Sequence, residues 1–339
     1  PVQVDKVLGR SQPFGFDSMA SPTMQDASGR PPLALVALVV GVAALCVSQL
    51  PSWEDLSTVA SVDVLGAPAL GDAESMALHT KILGGIRLFF AMIIFGALAW
   101  LIGGPGWVEE TNYHEKSSLR SAPVKIQGLR VMVFFTNWCW LMLGVYFLGA
   151  GVTALMSLDG GLLLPPRLLG LIFAAWEIAA PNALLVTVVV SYAIWPEVLR
   201  KEGPRGSTRL KIPVVLLQHC GNTAMVAVEL LLGKTPLLLR HAALAPLFGC
   251  SYVLFAWWWA PRAAPKYGAQ YMYFFLDTTL GVSFLYIATL GLLTVLEGFY
   301  CLAWGVDSLL DKAKAEGAPL VMQAIVLAVA VRAACRFGD

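Results

Sequence analysis

Runs of about twenty apolar residues, repeated along the chain, constrain its fold more than any other feature. Reading for runs able to cross a hydrocarbon layer roughly 30 Å thick gives seven: about 32–50, 82–102, 129–156, 168–195, 212–233, 241–260 and 271–303. No water reaches the backbone in lipid, so such runs fold as helices that satisfy their own amides and carbonyls. They are continuous rather than alternating, which favours helices over a β-barrel. Only 13% of the 339 residues are charged, about half the fraction of a soluble domain. The expectation is an all-α polytopic membrane protein with a bundle of seven or eight transmembrane helices. The eighth candidate, 318–335, is shorter and carries Gln323 and Arg332. It reads equally as a span or an interfacial helix.

The runs divide the chain. Residues 1–31 form a polar tail rich in Gly, Ser and Pro, without the apolar core of a secretory signal. An extra span at 32–50 and an acidic extramembrane loop at 51–81 precede six spans at 82–303, and 304–339 is a C-terminal extension. Because the first residue is Pro1, a processed or incomplete start is expected. Short-loop Lys and Arg residues set orientation. They concentrate in the tail and after the second, fourth and sixth spans (Lys116, Arg120, Arg200, Lys201, Arg262 and others). The opposite side carries Glu54, Asp55, Asp63, Asp72 and Glu74. The N-terminus is therefore expected on the positive side: cytosol, matrix or stroma.

A net charge of +1 and the lack of a basic stripe argue against nucleic-acid binding. Cys46, Cys139, Cys220, Cys250, Cys301 and Cys335 all lie in apolar stretches without a CxxC pair. They read as buried small hydrophobes, not as a disulfide framework or zinc site. No HExxH, EF-hand, Walker A or GxSxG motif occurs, and no metal is expected.

Within the spans, polar residues fall at similar depth. Thr136 is seven residues past Leu129, His219 seven past Ile212, and Asp277 six past Tyr271. Six or seven residues of helix correspond to roughly 10 Å. Polar groups at that depth are costly in lipid unless they meet one another. A threonine hydroxyl attacks well only beside a base. His219 is the candidate base, and Asp277 the candidate acid to fix its tautomer. Asn137 and Asn222 are candidate donors to an oxyanion. The bland alternatives are a Thr136 hydroxyl bonded one turn back, a structural His219, and an Asp277 paired with a neighbour or a helix terminus. Glu177 and Glu229 read as structural acids, with Glu177 relieving backbone freed by Pro181. Arg87 reads as a residue that snorkels or pairs.

Three segments carry a resemblance. FFTNWCWLMLGVYF (134–147), HCGNTAMVAVELLL (219–232) and YMYFFLDTTLG (271–281) resemble spans of the androgen-induced membrane hydrolases and the related rolling-stone proteins. The resemblance covers about 82–303 and implies a six-helix intramembrane fold. It further implies hydrolysis of fatty-acid esters of hydroxy fatty acids, with Thr136 as nucleophile and His219 as base. Asp277 stands where the family has a glutamate. The added tail, extra span, acidic loop and C-terminal extension depart from the family pattern.

Two functions follow. One is an intramembrane hydrolase that takes a lipid ester laterally and needs no cofactor, with bound lipid expected. The other is a non-catalytic accessory subunit of a larger mitochondrial or plastid membrane complex, in contact with other subunits and binding lipid or pigment. A channel or transporter is a weaker third reading, because Glu177, Asp277 and Glu229 lie at different depths.

Overall fold

The computed structural model describes residues 30–69, 75–111, 113–158 and 164–336. The polar tail expected at 1–31 lies almost wholly outside them. The chain opens with α1 (Leu33–Gln49), which follows Pro32, then α2 (Trp53–Val59) and α3 (Val62–Leu65). A capping box starts α2: Ser52 Oγ accepts from the Asp55 amide, and the Asp55 carboxylate accepts from the Ser52 amide. Next come α4 (Met76–Gly103) and an antiparallel hairpin of β1 (Trp107–Glu110) and β2 (Pro123–Ile126). Then follow α5 (Phe135–Leu158), α6 (Pro166–Val189) and α7 (Trp195–Gly206). The last elements are α8 (Pro213–Leu216), α9 (Asn222–Leu232), α10 (Leu244–Ala263), α11 (Val282–Ala315) and α12 (Leu320–Ala334).

Six of these runs are long and apolar enough to cross a membrane: Met76–Gly103, Phe135–Leu158, Pro166–Gly203, Pro213–Leu232, Leu239–Ala263 and Val282–Ala315. These are the six spans expected at 82–303, now with firm bounds. The fold is that of an all-α polytopic membrane protein. The extra span expected at 32–50 is α1, which completes a seventh crossing only together with α2, across a bend of 58°. The stretch at 318–335 is α12; its 15 residues rise about 22 Å, short of a bilayer core.

The last expected span moves at both ends, to Val282–Ala315, and two runs hold π-turns. The run at 271–303 becomes a helix only from Val282, and a 3₁₀ turn, Phe274–Leu276, occupies its start. Asp277 therefore precedes α11 instead of lying six residues into a span. A π-turn, Leu217–Gly221, joins α8 to α9, and a second, Val190–Ile194, joins α6 to α7. Each widens the helix locally and turns its side chains out of ordinary helical phase.

Helix α6 stands at the centre, packed against α2, α5, α9, α10 and α11. Its face holds Phe173, Trp176, Ala179 and Ala180, all fully or nearly fully buried. It continues through Pro181 without a break. Lipid tails are as apolar as leucine, so close van der Waals fit drives such helices together. Gly149 shows that fit between α5 and α6: a Cβ there would meet Ile172 Cγ1 at 2.4 Å. The Tyr146 and Trp176 rings lie 4.7 Å apart across the same interface.

At the hairpin end, two loops are zipped together over the bundle. Thr111 donates to Gln270 Oε1 at 2.7 Å, and Gln270 Nε2 donates to the Arg120 carbonyl at 3.2 Å. Tyr113 donates to the Ala269 carbonyl at 3.0 Å and accepts from the Tyr271 amide at 3.2 Å. The cysteines are not alike: Cys46, Cys139 and Cys250 are buried as expected, Cys220 and Cys335 are half-buried, and Cys301 is exposed.

Candidate functional site

The first turn of α5 and the π-turn before α9 meet at the hairpin end. A helix start leaves backbone amides without partners, and the Tyr273 hydroxyl accepts from one of them, Phe135 N, at 3.2 Å. Thr136, half-buried in the same turn, places its hydroxyl within hydrogen-bonding reach of the Tyr273 phenol. Burial pushes that phenol up to about 12, so it keeps its proton at any physiological pH. Asn137 is buried and bonded through both its amide nitrogen and its amide oxygen. Its Nδ2 donates to the Val131 carbonyl at 2.5 Å, and its Oδ1 accepts from Gln218 Nε2 at 2.6 Å. Gln218, not anticipated from the sequence, is thus the residue that joins the two helix starts.

His219 follows Gln218 in the π-turn. Its Nδ1 lies 2.8 Å from the Val215 carbonyl oxygen. A carbonyl only accepts, so Nδ1 carries the proton and Nε2 keeps its lone pair. The backbone thereby does for this imidazole what a carboxylate does in a triad: it selects the tautomer.

The remaining expected residues go elsewhere. Asn222 faces α6: its Oδ1 accepts from Thr187 at 3.0 Å and its Nδ2 donates to the Ala183 carbonyl at 3.3 Å. Thr223 completes that knot, 2.7 Å from Thr187 Oγ1. Asp277 is buried in the zipped loops, where Oδ2 accepts from the Ser117 hydroxyl. Its Oδ1 accepts from the Thr279 amide at 2.9 Å and the Thr279 hydroxyl at 2.8 Å. Asp277 thus serves the loop cap, and the Val215 carbonyl takes the tautomer-fixing part expected of it. The Asn137–Gln218 bond joins the chain beside Thr136 to the chain beside His219, and Asp277 takes no part in it.

A second polar assembly lies toward the other end of the bundle. Arg87 on α4 is fully buried and makes a two-pronged ion pair with Glu229 on α9, Nε to Oε2 at 2.9 Å and Nη2 to Oε1 at 2.5 Å. Tyr146 donates to the same Glu229 Oε1 at 2.8 Å and lies 2.9 Å from Thr235 Oγ1. Glu177, expected to relieve backbone near Pro181, instead accepts from His241 Nδ1 at 2.6 Å and from the Leu238 amide at 3.1 Å. Tyr300 lies 3.0 Å from Glu177 Oε1. Asp307 accepts from the Leu237 amide at 2.7 Å. Glu177 and Asp307 thus clamp the segment from Leu237 to His241 directly, and Glu229 reaches Thr235 through Tyr146; the two acids satisfy backbone amides that lipid could not. An arginine inside an apolar helix signals a partner, and a helix-spaced acid on another span was the one to seek.

Among the described residues no group of three or more His, Cys, Asp and Glu is placed to hold a metal ion. Fold and burial together define a polytopic membrane protein with polar side chains held inside its helix bundle. Compared with known proteins, the chain matches no family model, no curated protein and no solved structure.

Proposed function

We propose that this protein is an intramembrane hydrolase of fatty-acid esters, with Thr136 as nucleophile and His219 as base. One observation carries the reading: the 2.6 Å bond between Asn137 and Gln218, which sets the residues beside them on a common flank. Helices α5 and α8–α9 are separated by a single crossing, so they run parallel. About 100° per residue in α5, and somewhat less in the wider π-turn that holds Gln218 and His219, turns Thr136, one before Asn137, and His219, one after Gln218, toward the same side of that contact.

The chemistry follows from the tautomer. Thr136 Oγ1 adds to the ester carbonyl carbon as its proton passes to His219 Nε2, and Tyr273 O–H bonds to the developing oxyanion. The bond to the leaving alcohol breaks as His219 returns the proton, which leaves an acyl-threonine. Water, deprotonated by His219, then releases the fatty acid. Asn137 and Asn222 each commit one of their two Nδ2 protons to a carbonyl, which leaves the second N–H of each as a further donor beside Tyr273. The resemblance of 134–147 and 219–232 to the membrane hydrolases supports the same pair.

Fluorophosphonate labelling of the protein in nanodiscs tests this. Wild type labels, and Thr136→Ala and His219→Ala each cut the rate by about 10²-fold or more, the scale of a lost base. Wild-type labelling in folded Thr136→Ala refutes the assignment. A well-folded wild type that does not label refutes the hydrolase and leaves the accessory-subunit reading.

A further inference from the structure

An apolar groove of about 650 Å³ runs between α9 and α12, lined by Ala224, Ala227, Val228, Leu327, Ala328 and Val331 among others, with Cys220 and Cys335 also in its wall. Those two thiols share one wall of the groove although 115 residues apart in sequence, and lie close enough to interact. Both sit where backbone can give. Cys220 belongs to the π-turn Leu217–Gly221, and Cys335 is the C-cap of α12 at φ −92° and ψ 76°, already outside helical geometry. Small backbone shifts at such sites can bring two sulfurs to bonding distance without breaking a regular helix. Helix α12 has few other polar ties to the bundle; the Tyr192 hydroxyl donates to its Ala333 carbonyl.

We infer that Cys220 and Cys335 are a reversible dithiol–disulfide pair that staples the C-terminal helix α12 to α9. The oxidant is a low-molecular-weight disulfide, RSSR. The Cys335 thiolate attacks one sulfur of RSSR and releases RS⁻, which takes up the Cys335 proton. Cys220 then attacks the Cys335 sulfur of the mixed disulfide, loses its own proton, and expels the second RSH. The sum is two protein thiols and RSSR giving one protein disulfide and two RSH, with two electrons moving from the protein sulfurs to RSSR. Cys335 is the first thiol to react because it lies at the end of α12, where Arg332 Nη1 bonds to its carbonyl at 3.2 Å and sets a cation near the sulfur, whereas Cys220 lies within a continuous helical run. Exposed Cys301 is an internal control for simple thiolation, and buried Cys46, Cys139 and Cys250 for reagent access.

The test equilibrates the full chain in nanodiscs with glutathione and glutathione disulfide at graded ratios, then acid-quenches, alkylates and maps peptides by mass. The expected result is one cross-linked peptide pair joining Cys220 to Cys335, lighter by two hydrogens and formed in a single two-electron transition, while Cys301 gives only the glutathione adduct. In Cys335→Ser the cross-link vanishes and Cys220 remains open to alkylation. Oxidation also slows amide exchange in 320–334, and dithiothreitol reverses it. Glutathione adducts on Cys335 without a cross-link at any ratio, or a cross-link that leaves exchange in 320–334 unchanged, overturns the inference.

Discussion

Replacing Glu229 by leucine removes a carboxylate that receives two bonds from Arg87 and one from Tyr146. Arg87 is 0% and Glu229 2% exposed, so no solvent replaces what is lost. An unpaired buried guanidinium cannot shed its proton, and breaking such a pair costs about 3–5 kcal/mol. Arg87→Leu costs less, about 2–3 kcal/mol, because the stranded carboxylate can neutralise by taking up a proton. The double variant Arg87→Leu/Glu229→Leu holds two apolar side chains of fitting size and loses only about 1–2 kcal/mol, mostly from hydroxyls left short of a partner. The cycle therefore gives a coupling of about 3 kcal/mol or more. Reversible unfolding in mixed detergent micelles, followed by tryptophan fluorescence, measures all four stabilities. A coupling below about 0.5 kcal/mol, or Arg87→Leu more damaging than Glu229→Leu, refutes the reasoning.

Gly149→Ala drives a methyl group into Ile172, 2.4 Å from where its Cβ would lie, and costs about 1–3 kcal/mol. Ile172→Ala in the same chain restores most of that loss, and an absence of rescue in the same unfolding assay refutes the contact. Burial raises the Tyr273 phenol from about 10 to about 12, so its neutral form is favoured more in the folded state. Its contribution to stability is complete below about pH 10 and is lost as pH rises to about 12. A stability titration shows less decline over that window in Tyr273→Phe than in wild type; equal slopes refute the assignment.

The spans were legible because lipid imposes both a length and a helical backbone on any run that crosses it. The error at 271–281 shares that cause: YMYFFLDTTLG is as apolar as a helix, and although Thr279 bonds Asp277 from two residues away, the Ser117 that anchors it in a loop lies 160 residues distant. Thr136 and His219 were legible as polar residues within apolar runs. Gln218 was not, since a glutamine beside a histidine attracts no notice until an opposing asparagine is known. The ion pair illustrates the limit most clearly. Arg87 and Glu229 were each visible as costly residues, but 142 positions separate them, and pairing at that distance is a property of packing alone.

That separation has a consequence for how the protein is made. Ribosomes add about 5–20 residues per second, so Arg87 exists for roughly 7–28 s before its counter-charge is synthesised. Helix α4 enters the bilayer carrying a guanidinium without its counter-charge, and until α9 follows only neutral groups can serve it: the Leu65 carbonyl upstream, then the Tyr146 hydroxyl and Ala150 carbonyl of α5. The first helices must wait, held beside the insertion machinery or with α4 set shallow in the membrane, until α9 arrives. Truncated chains ending before Glu229 are then substrates for membrane quality control, and chains extended past it are released.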